Sequence, residues 1–158
     1  MYFRDALQGI ALLTKGENVM NLIYLLRPKD DTVYINSGST VRQGLEKIRA
    51  HGYTAIPVIA PTGEYVGTVS EGDFLWALCG CESIKALEKL TVSDIIRTKR
   101  DKAVSVSADM NELLLLIMEQ NFVPVTDDRG KFIGIVTRRD IIKYFYDKEQ
   151  KEGDNGNE

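Results

Sequence analysis

The chain has 158 residues, 44% of them hydrophobic and 27% charged, with a formal net charge of −3. That is the profile of a soluble globular domain large enough to bury one core. Five acids and two lysines between Asp147 and Glu158 carry the whole −3, so the body is nearly neutral and lacks the clustered basic face of a nucleic-acid binder.

Residues 1–18 read as a short amphipathic helix around Ile10-Ala11-Leu12-Leu13. Asp5 and the missing small-residue cleavage pattern argue against a signal peptide. A first unit spans 19–80. It opens with the lead-in Val19–Ile23 and a short alternating strand at Val33–Ile35. Thr40 then precedes Val41, Leu45 and Ile48, which share one helical face. Two strands, Ala55–Ile59 and Tyr65–Val69, form a hairpin through Ala60–Gly63. Phe74, Leu75 and Leu78 mark a closing helix.

A linker helix is expected over 81–90, where Ile84, Leu87 and Leu90 keep helical spacing. The second unit spans 91–147 and opens with a short helix at Val92–Ile96. Val104–Val106 reads as a strand, and Asp109 caps a helix bearing Leu113, Leu114 and Ile117. Phe122–Thr126 and Phe132–Val136 form a hairpin through Asp127–Gly130, followed by a helix with Ile141, Ile142 and Phe145. The acidic tail, 148–158, has no apolar residue and is expected to be disordered. No apolar run approaches the roughly 18–20 residues of a membrane span, so no membrane partner is expected.

The two units are copies. Pro57 and Pro124, Gly67 and Gly134, Ser70 and Thr137, and Asp73 and Asp140 are each 67 positions apart. The fold class is therefore α/β, of the α+β kind, built from tandem β-α-β-β-α repeats. One copy alone would expose a face of a small sheet. Two copies packed sheet to sheet around a pseudo-two-fold axis bury it, and clefts between them should come in pairs.

Ser70 to Asp73 and Thr137 to Asp140 sit where a strand turns into a helix. A hydroxyl at the N-cap with an acid three residues on is a capping box, worth about 1 kcal/mol of helix stability. The same geometry also suits a ligand. A helix N-terminus attracts phosphate, and an acid one turn in accepts ribose hydroxyls. A proline in the preceding strand leaves backbone groups free to read a base edge.

These residues resemble a pair of cystathionine-β-synthase (CBS) domains, a Bateman module. The match is an apolar residue, Pro and Val, then G-h-h-S/T-x-x-D beginning ten residues after the proline (h, apolar), present twice over residues 19–147. The resemblance implies a nucleotide-binding regulatory module that pairs into a homodimer. Ribose contacts would fall on Asp73 and Asp140, hydroxyl contacts on Ser70 and Thr137. Base contacts would fall on Tyr53, Thr54, Ala55, Ile56 and Pro57, and on Asn121, Phe122, Val123 and Pro124.

The copies differ in charge. Glu71-Gly72 in the first stands where the second has Arg138-Arg139. An acid beside a helix N-terminus opposes phosphate and arginines favour it, so the phosphate end is assigned to Thr137, Arg138, Arg139 and Asp140. The second copy is also two residues shorter ahead of its proline, so a base there is expected to rely on Tyr53–Ile56 reaching across from the first.

AMP, ADP or ATP is the expected ligand, because Asp140 suits a free ribose. The Tyr53-Thr54-Ala55 and Thr137-Arg138-Arg139 stretches resemble cyclic di-AMP-binding members of the family, which is the first alternative. A dimerisation domain with vestigial clefts is the second. His51 and the pair Cys79 and Cys81 have no partners for catalysis or a closed metal site, and two cysteines do not make a disulfide framework. A reducing cytoplasm is therefore expected. No enzyme, metal or cofactor is expected. A protein partner of unknown identity would read the signal.

Overall fold

The computed structural model describes residues 21–96 and 101–154. The expected helix over 1–18 lies outside them. The first copy holds β2 (Ile35–Asn36), α1 (Val41–His51), β3 (Ala55–Ile59), β4 (Tyr65–Ser70) and α2 (Glu71–Gly80). The connection holds α3 (Ile84–Leu87) and α4 (Val92–Ile95). The second copy holds β5 (Val104–Ser105), α5 (Met110–Glu119), β6 (Phe122–Thr126), β7 (Phe132–Thr137) and α6 (Arg138–Asp154). The β-α-β-β-α order is thus present twice.

Local chemistry sets the boundaries. The Thr40 side chain accepts from the Gln43 amide, and the Gln43 side chain accepts from the Thr40 amide, closing a capping box on α1. Asp109 accepts from the Glu112 amide at the start of α5. Gly52 ends α1 in the left-handed region at φ 65°. Three expectations need correction. The strand expected at Val33–Ile35 begins only at Ile35, where pairing with Val58 starts. The linker helix covers only Ile84–Leu87; the chain then turns at Glu88 and Lys89, and the Leu90 carbonyl accepts from the Val41 amide. The closing helix runs to Asp154, so 148–154 are helical rather than disordered. Packing of Ile141 nucleates α6, and the Lys, Glu and Gln that follow are good helix formers that propagate it.

Two sheets result, β2-β3-β4 and β1-β7-β6-β5, where β1 is Arg27–Pro28. Both hairpins carry an irregularity at the equivalent place, Val58/Ile59 and Val125/Thr126. The sheets meet at a pseudo-two-fold axis marked by a reciprocal backbone pair. The Tyr65 amide donates to Gly130 at 3.3 Å and the Phe132 amide donates to Gly63 at 2.9 Å. Each group and its equivalent again lie 67 positions apart. Ile59, Phe132 and Ile135 pack here with Tyr34, Tyr65 and Phe122, so the copies share an apolar seam.

One strand escaped the sequence reading. β1 (Arg27–Pro28) joins the edge of the second copy's sheet, pairing with Ile135 and Gly134 of β7. It follows a 3-10 turn, Leu22–Leu25, whose Leu22 packs in the second copy's core with Leu113, Val123 and Val136. The segment leading into the second copy does the converse. Val92 packs with Val41, Val58 and Phe74 of the first, and its amide donates to the Ser39 carbonyl at 2.8 Å. Each lead-in therefore completes the core of the other copy.

Gly134 permits the β1 contact, since a Cβ there would lie 2.1 Å from the Arg27 carbonyl oxygen. Gly134→Ala should push β1 off β7 and cost about 1–3 kcal/mol. A urea midpoint equal to that of the wild type would rule this out.

At the axis, Glu64 accepts from the Lys131 ammonium and the Thr62 hydroxyl. Lys131 and then Thr62 hold the Glu64 carboxyl down at about 2, against an ordinary 4.5. A carboxylate depressed in the folded chain stabilises it above its unfolded pKa and ceases to do so as pH falls through the folded value. Between pH 4.5 and 2 the wild type should therefore lose stability more steeply than Glu64→Gln. Denaturant midpoints measured across that range check the difference in slope.

Candidate functional site

Two clefts flank the seam. The first opens beside Thr137. It brings together Tyr53, Ala55, Ile56 and Pro57 from the first copy with Asn121, Phe122 and Thr137 from the second. Arg27, Asp31, Thr32 and Val33, from the segment before β2, complete the wall. The second cleft opens beside Ser70 and shares Ala55, Asn121 and Phe122 with the first. Its remaining wall carries Asp101, Lys102 and Glu119.

The other residues singled out in the sequence sit elsewhere. Thr54 is exposed, and its carbonyl accepts from the Glu71 amide at 3.0 Å. Asn121 makes the equivalent bond with the Arg138 amide at 2.9 Å. Val123 lies in the second core and Pro124 is buried, so Val123 offers a ligand only backbone. Asp73 is 4% exposed and accepts from both the amide and the hydroxyl of Ser70. It lines a separate depression with Trp76, Gly80 and Asp94, away from the Ser70 cleft.

Both helix starts use their first-turn amides in part. The first amide of each helix is bound to Thr54 or Asn121, and the third to the hydroxyl of Ser70 or Thr137. The amides of Gly72 and Arg139 take no part in these bonds. Asp140 differs from Asp73. It accepts from the Thr137 hydroxyl at 2.6 Å and from Arg27 Nη2 at 3.3 Å, and it is 30% exposed.

Arg138 does not point its charge at the cleft. Its Nε donates to the Ile117 carbonyl at 2.9 Å, and its Nη2 donates to Gln120 at 2.8 Å and Met118 at 3.3 Å. It satisfies carbonyls that the end of α5 leaves unpaired. In this geometry its guanidinium is engaged with those carbonyls rather than turned to the cleft. Arg139 is exposed on a shelf with Lys143 and Tyr146, which meets the cleft at Asn121.

Arg27, Asp31 and Thr32 were missed by sequence reasoning. A signal existed. Arg27-Pro28-Lys29-Asp30-Asp31 recurs as Arg97-Thr98-Lys99-Arg100-Asp101, an R-x-K-x-D pattern. Asp31 and Asp101 then take equivalent places in the two clefts.

His51 donates Nδ1–H to the Lys47 carbonyl at 3.1 Å and stacks beside Tyr53 at 6.0 Å, which holds the Tyr53 ring at the cleft mouth. Phe74 is buried in the first core, whereas Trp76 is 62% exposed. Cys79 and Cys81 are both free thiols. Among the described residues no group of three His, Cys, Asp or Glu could hold a metal, and no helix is long and apolar enough to cross a membrane.

Because Arg138 ties α6 to the end of α5, Arg138→Ala should act on stability. Removing three charge-assisted bonds to half-buried carbonyls should cost about 1.5–3 kcal/mol. Thermal unfolding checks this, and a variant as stable as the wild type would free Arg138 for a ligand role.

The profile of the CBS domain matches residues 24–80 and 90–147. The chain is 26% identical over 116 residues to cyclic di-AMP receptor B of Bacillus subtilis, covering 72% of this chain and 78% of the receptor. It is 27% identical over 111 residues to a homoserine O-acetyltransferase of Methanohalophilus mahii, covering 68% of this chain but only 21% of that enzyme's length. Among solved structures, CbpB in complex with c-di-AMP superposes with a TM-score of 0.82 at 21% identity, over 94% of this chain and 99% of that one. That likeness is one of fold. CBSX2 of Arabidopsis thaliana, in complex with AMP, gives a TM-score of 0.63 at 25% identity, over 80% of this chain and 96% of that one. With both repeats matched and the lead-ins exchanged between them, the chain belongs to the CBS domain family as a tandem pair.

Proposed function

We propose that this CBS pair is a regulatory module that binds an adenine nucleotide in the Thr137 cleft and signals through a change in the arrangement of its two repeats. One observation carries this reading. The base-reading strand starts of both copies, the Thr137 helix start and Arg27 line a single cleft between the repeats. A ligand there touches both copies and so favours the relative orientation that fits it. The relatives named for binding c-di-AMP and AMP support the ligand class.

AMP, ADP or ATP is the ligand this reading favours, since the partly exposed Asp140 carboxylate can take a free ribose diol. A cyclic di-AMP receptor is the second reading, favoured by the match to most of the length of receptor B. Its esterified 3′ oxygen has no hydroxyl for Asp140. A homodimer in the cytoplasm accompanies either reading. Leu75 on α2 and Ile142 on α6 are equivalent positions in the repeat and are 55% and 62% exposed, which gives each copy an apolar helical face.

Calorimetric titration with AMP, ATP and cyclic di-AMP tests the proposal. Saturable binding of at least one is expected, with thermal stability raised by about 2.7 kcal/mol at a hundredfold excess over Kd. Asp140→Ala should weaken AMP by about tenfold, the loss of one charge-assisted bond, and leave cyclic di-AMP unweakened. A folded wild type that binds none of the three leaves the dimerisation domain as the function.

A further inference from the structure

The Thr137 cleft poses an electrostatic problem. Asp31 is a carboxylate of its wall, and a second, Asp140, lies behind the wall, bonded to the lining residues Thr137 and Arg27. Arg138 is bonded to the carbonyls at the end of α5. Arg139 lies on the neighbouring shelf. Among the described residues lining the cleft itself, Arg27 is the one cation. A nucleotide phosphate entering this space would meet net negative charge unless Arg27 turned to it.

We infer that Arg27 is the phosphate-binding and ligand-selecting residue of this cleft, held ready by its ion pair with Asp140. This rests on the nucleotide reading above and names the residue that decides which nucleotides the cleft accepts. The pair is built to open. Its Nη2–Oδ2 distance is 3.3 Å, a single contact rather than a fork, and the two side chains are 43% and 30% exposed. An exposed pair of this kind contributes little to folding. Its exchange for ligand contacts is therefore cheap.

The chemistry of the exchange is complementary. A ribose hydroxyl donates to the Asp140 carboxylate in place of the arginine N–H. The released guanidinium then presents its donors to a phosphate oxygen, the bidentate acceptor it fits best. A ligand with both a free diol and a phosphate is repaid twice for opening the pair. A nucleoside without phosphate is repaid once, and leaves Arg27 without its anion. A phosphodiester without the diol takes Arg27 while Asp140 keeps Thr137.

The position of Arg27 is fixed by backbone rather than by its own side chain. β1 pairs with β7 at Ile135 and Gly134, just ahead of Thr137 on the same strand. The Thr32 hydroxyl donates to the Pro28 carbonyl at 2.9 Å and holds the turn that follows. Substitution of the exposed Arg27 side chain therefore leaves these restraints in place.

The test is calorimetry with adenosine, AMP and cyclic di-AMP on the wild type, Arg27→Gln and Arg27→Lys, with thermal unfolding as a check that each variant folds. Arg27→Gln should weaken AMP and cyclic di-AMP by about tenfold or more, and leave adenosine within about twofold. Arg27→Lys should recover part of the loss, since it keeps the charge but not the fork. If only cyclic di-AMP titrates, its loss in Arg27→Gln and partial return in Arg27→Lys supports the role, and unchanged affinity overturns it. Equal weakening of adenosine and AMP would make Arg27 a structural residue and sink the inference. An AMP-to-adenosine ratio unchanged by Arg27→Gln would move the phosphate to the Arg139 shelf and sink it too. Both results leave the nucleotide reading standing, whereas a wild type that binds none of the three ligands ends both.

Discussion

Leu22 is buried at 2% exposure in the core of a repeat that begins about seventy residues later, and Val92 is wholly buried in the repeat that precedes its own. The rest of the structure depends on this exchange. Neither core is complete without a segment that sequence assigns to the other copy. Pulling the copies apart would therefore expose both cores at once, along with the seam at Ile59, Phe132 and Ile135. The apolar area involved makes the pair one cooperative body rather than two tethered domains. Clefts between the copies persist for the same reason. Their walls are held in register by the backbone pairs at Tyr65–Gly130 and Phe132–Gly63, not by side-chain complementarity alone.

Symmetry ends at the charges. The Ser70 and Thr137 clefts share Ala55, Asn121 and Phe122, so the starts of β3 and β6 border both. Asp73 is buried against Ser70, whereas Asp140 is partly open and paired with Arg27. Around Ser70 the wall holds Asp101 and Glu119 with Lys102. Duplication set the shape of both clefts, and the copies differ in whether the helix-start acid is buried or open to a cation.

The sequence made the repeat legible because its landmarks are backbone requirements. Pro57 and Pro124, the loop glycines Gly63 and Gly130 at φ 99° and 77°, and the capping hydroxyls recur because the same turns recur. Hairpins and helix starts were therefore placed closely. β1 was not, since two residues with a proline carry no period and pair only through tertiary contact. Arg27 was hidden for the same reason. Arg138 was read for a phosphate alone, although a charge at a helix start suits a phosphate and a neighbouring helix end equally well. Sequence does not show which partner lies within reach; here the carbonyls of Ile117 and Gln120 do. The end of α6 was placed too early because composition predicts disorder from polarity, while a helix already nucleated by packing extends through polar residues at little cost.

The cleft and the closure of the second core share a strand. β1 is two residues long and is the outermost strand of its sheet, so it has few backbone bonds of its own. Segments of this kind open with low free energy compared with the core. A ligand that engages Arg27 adds its binding energy at that weak point, and a ligand bound only to Tyr53 and Ala55 does not. By linkage, whatever the cleft does to β1 is felt at the 3-10 turn carrying Leu22, and a contact that grips the lead-in alters affinity in the cleft by the same factor. With the inferred role of Arg27, the segment before residue 29 is the part of the fold whose docking a nucleotide changes most. That makes the lead-in, rather than the rigid seam between the sheets, the natural output of the module.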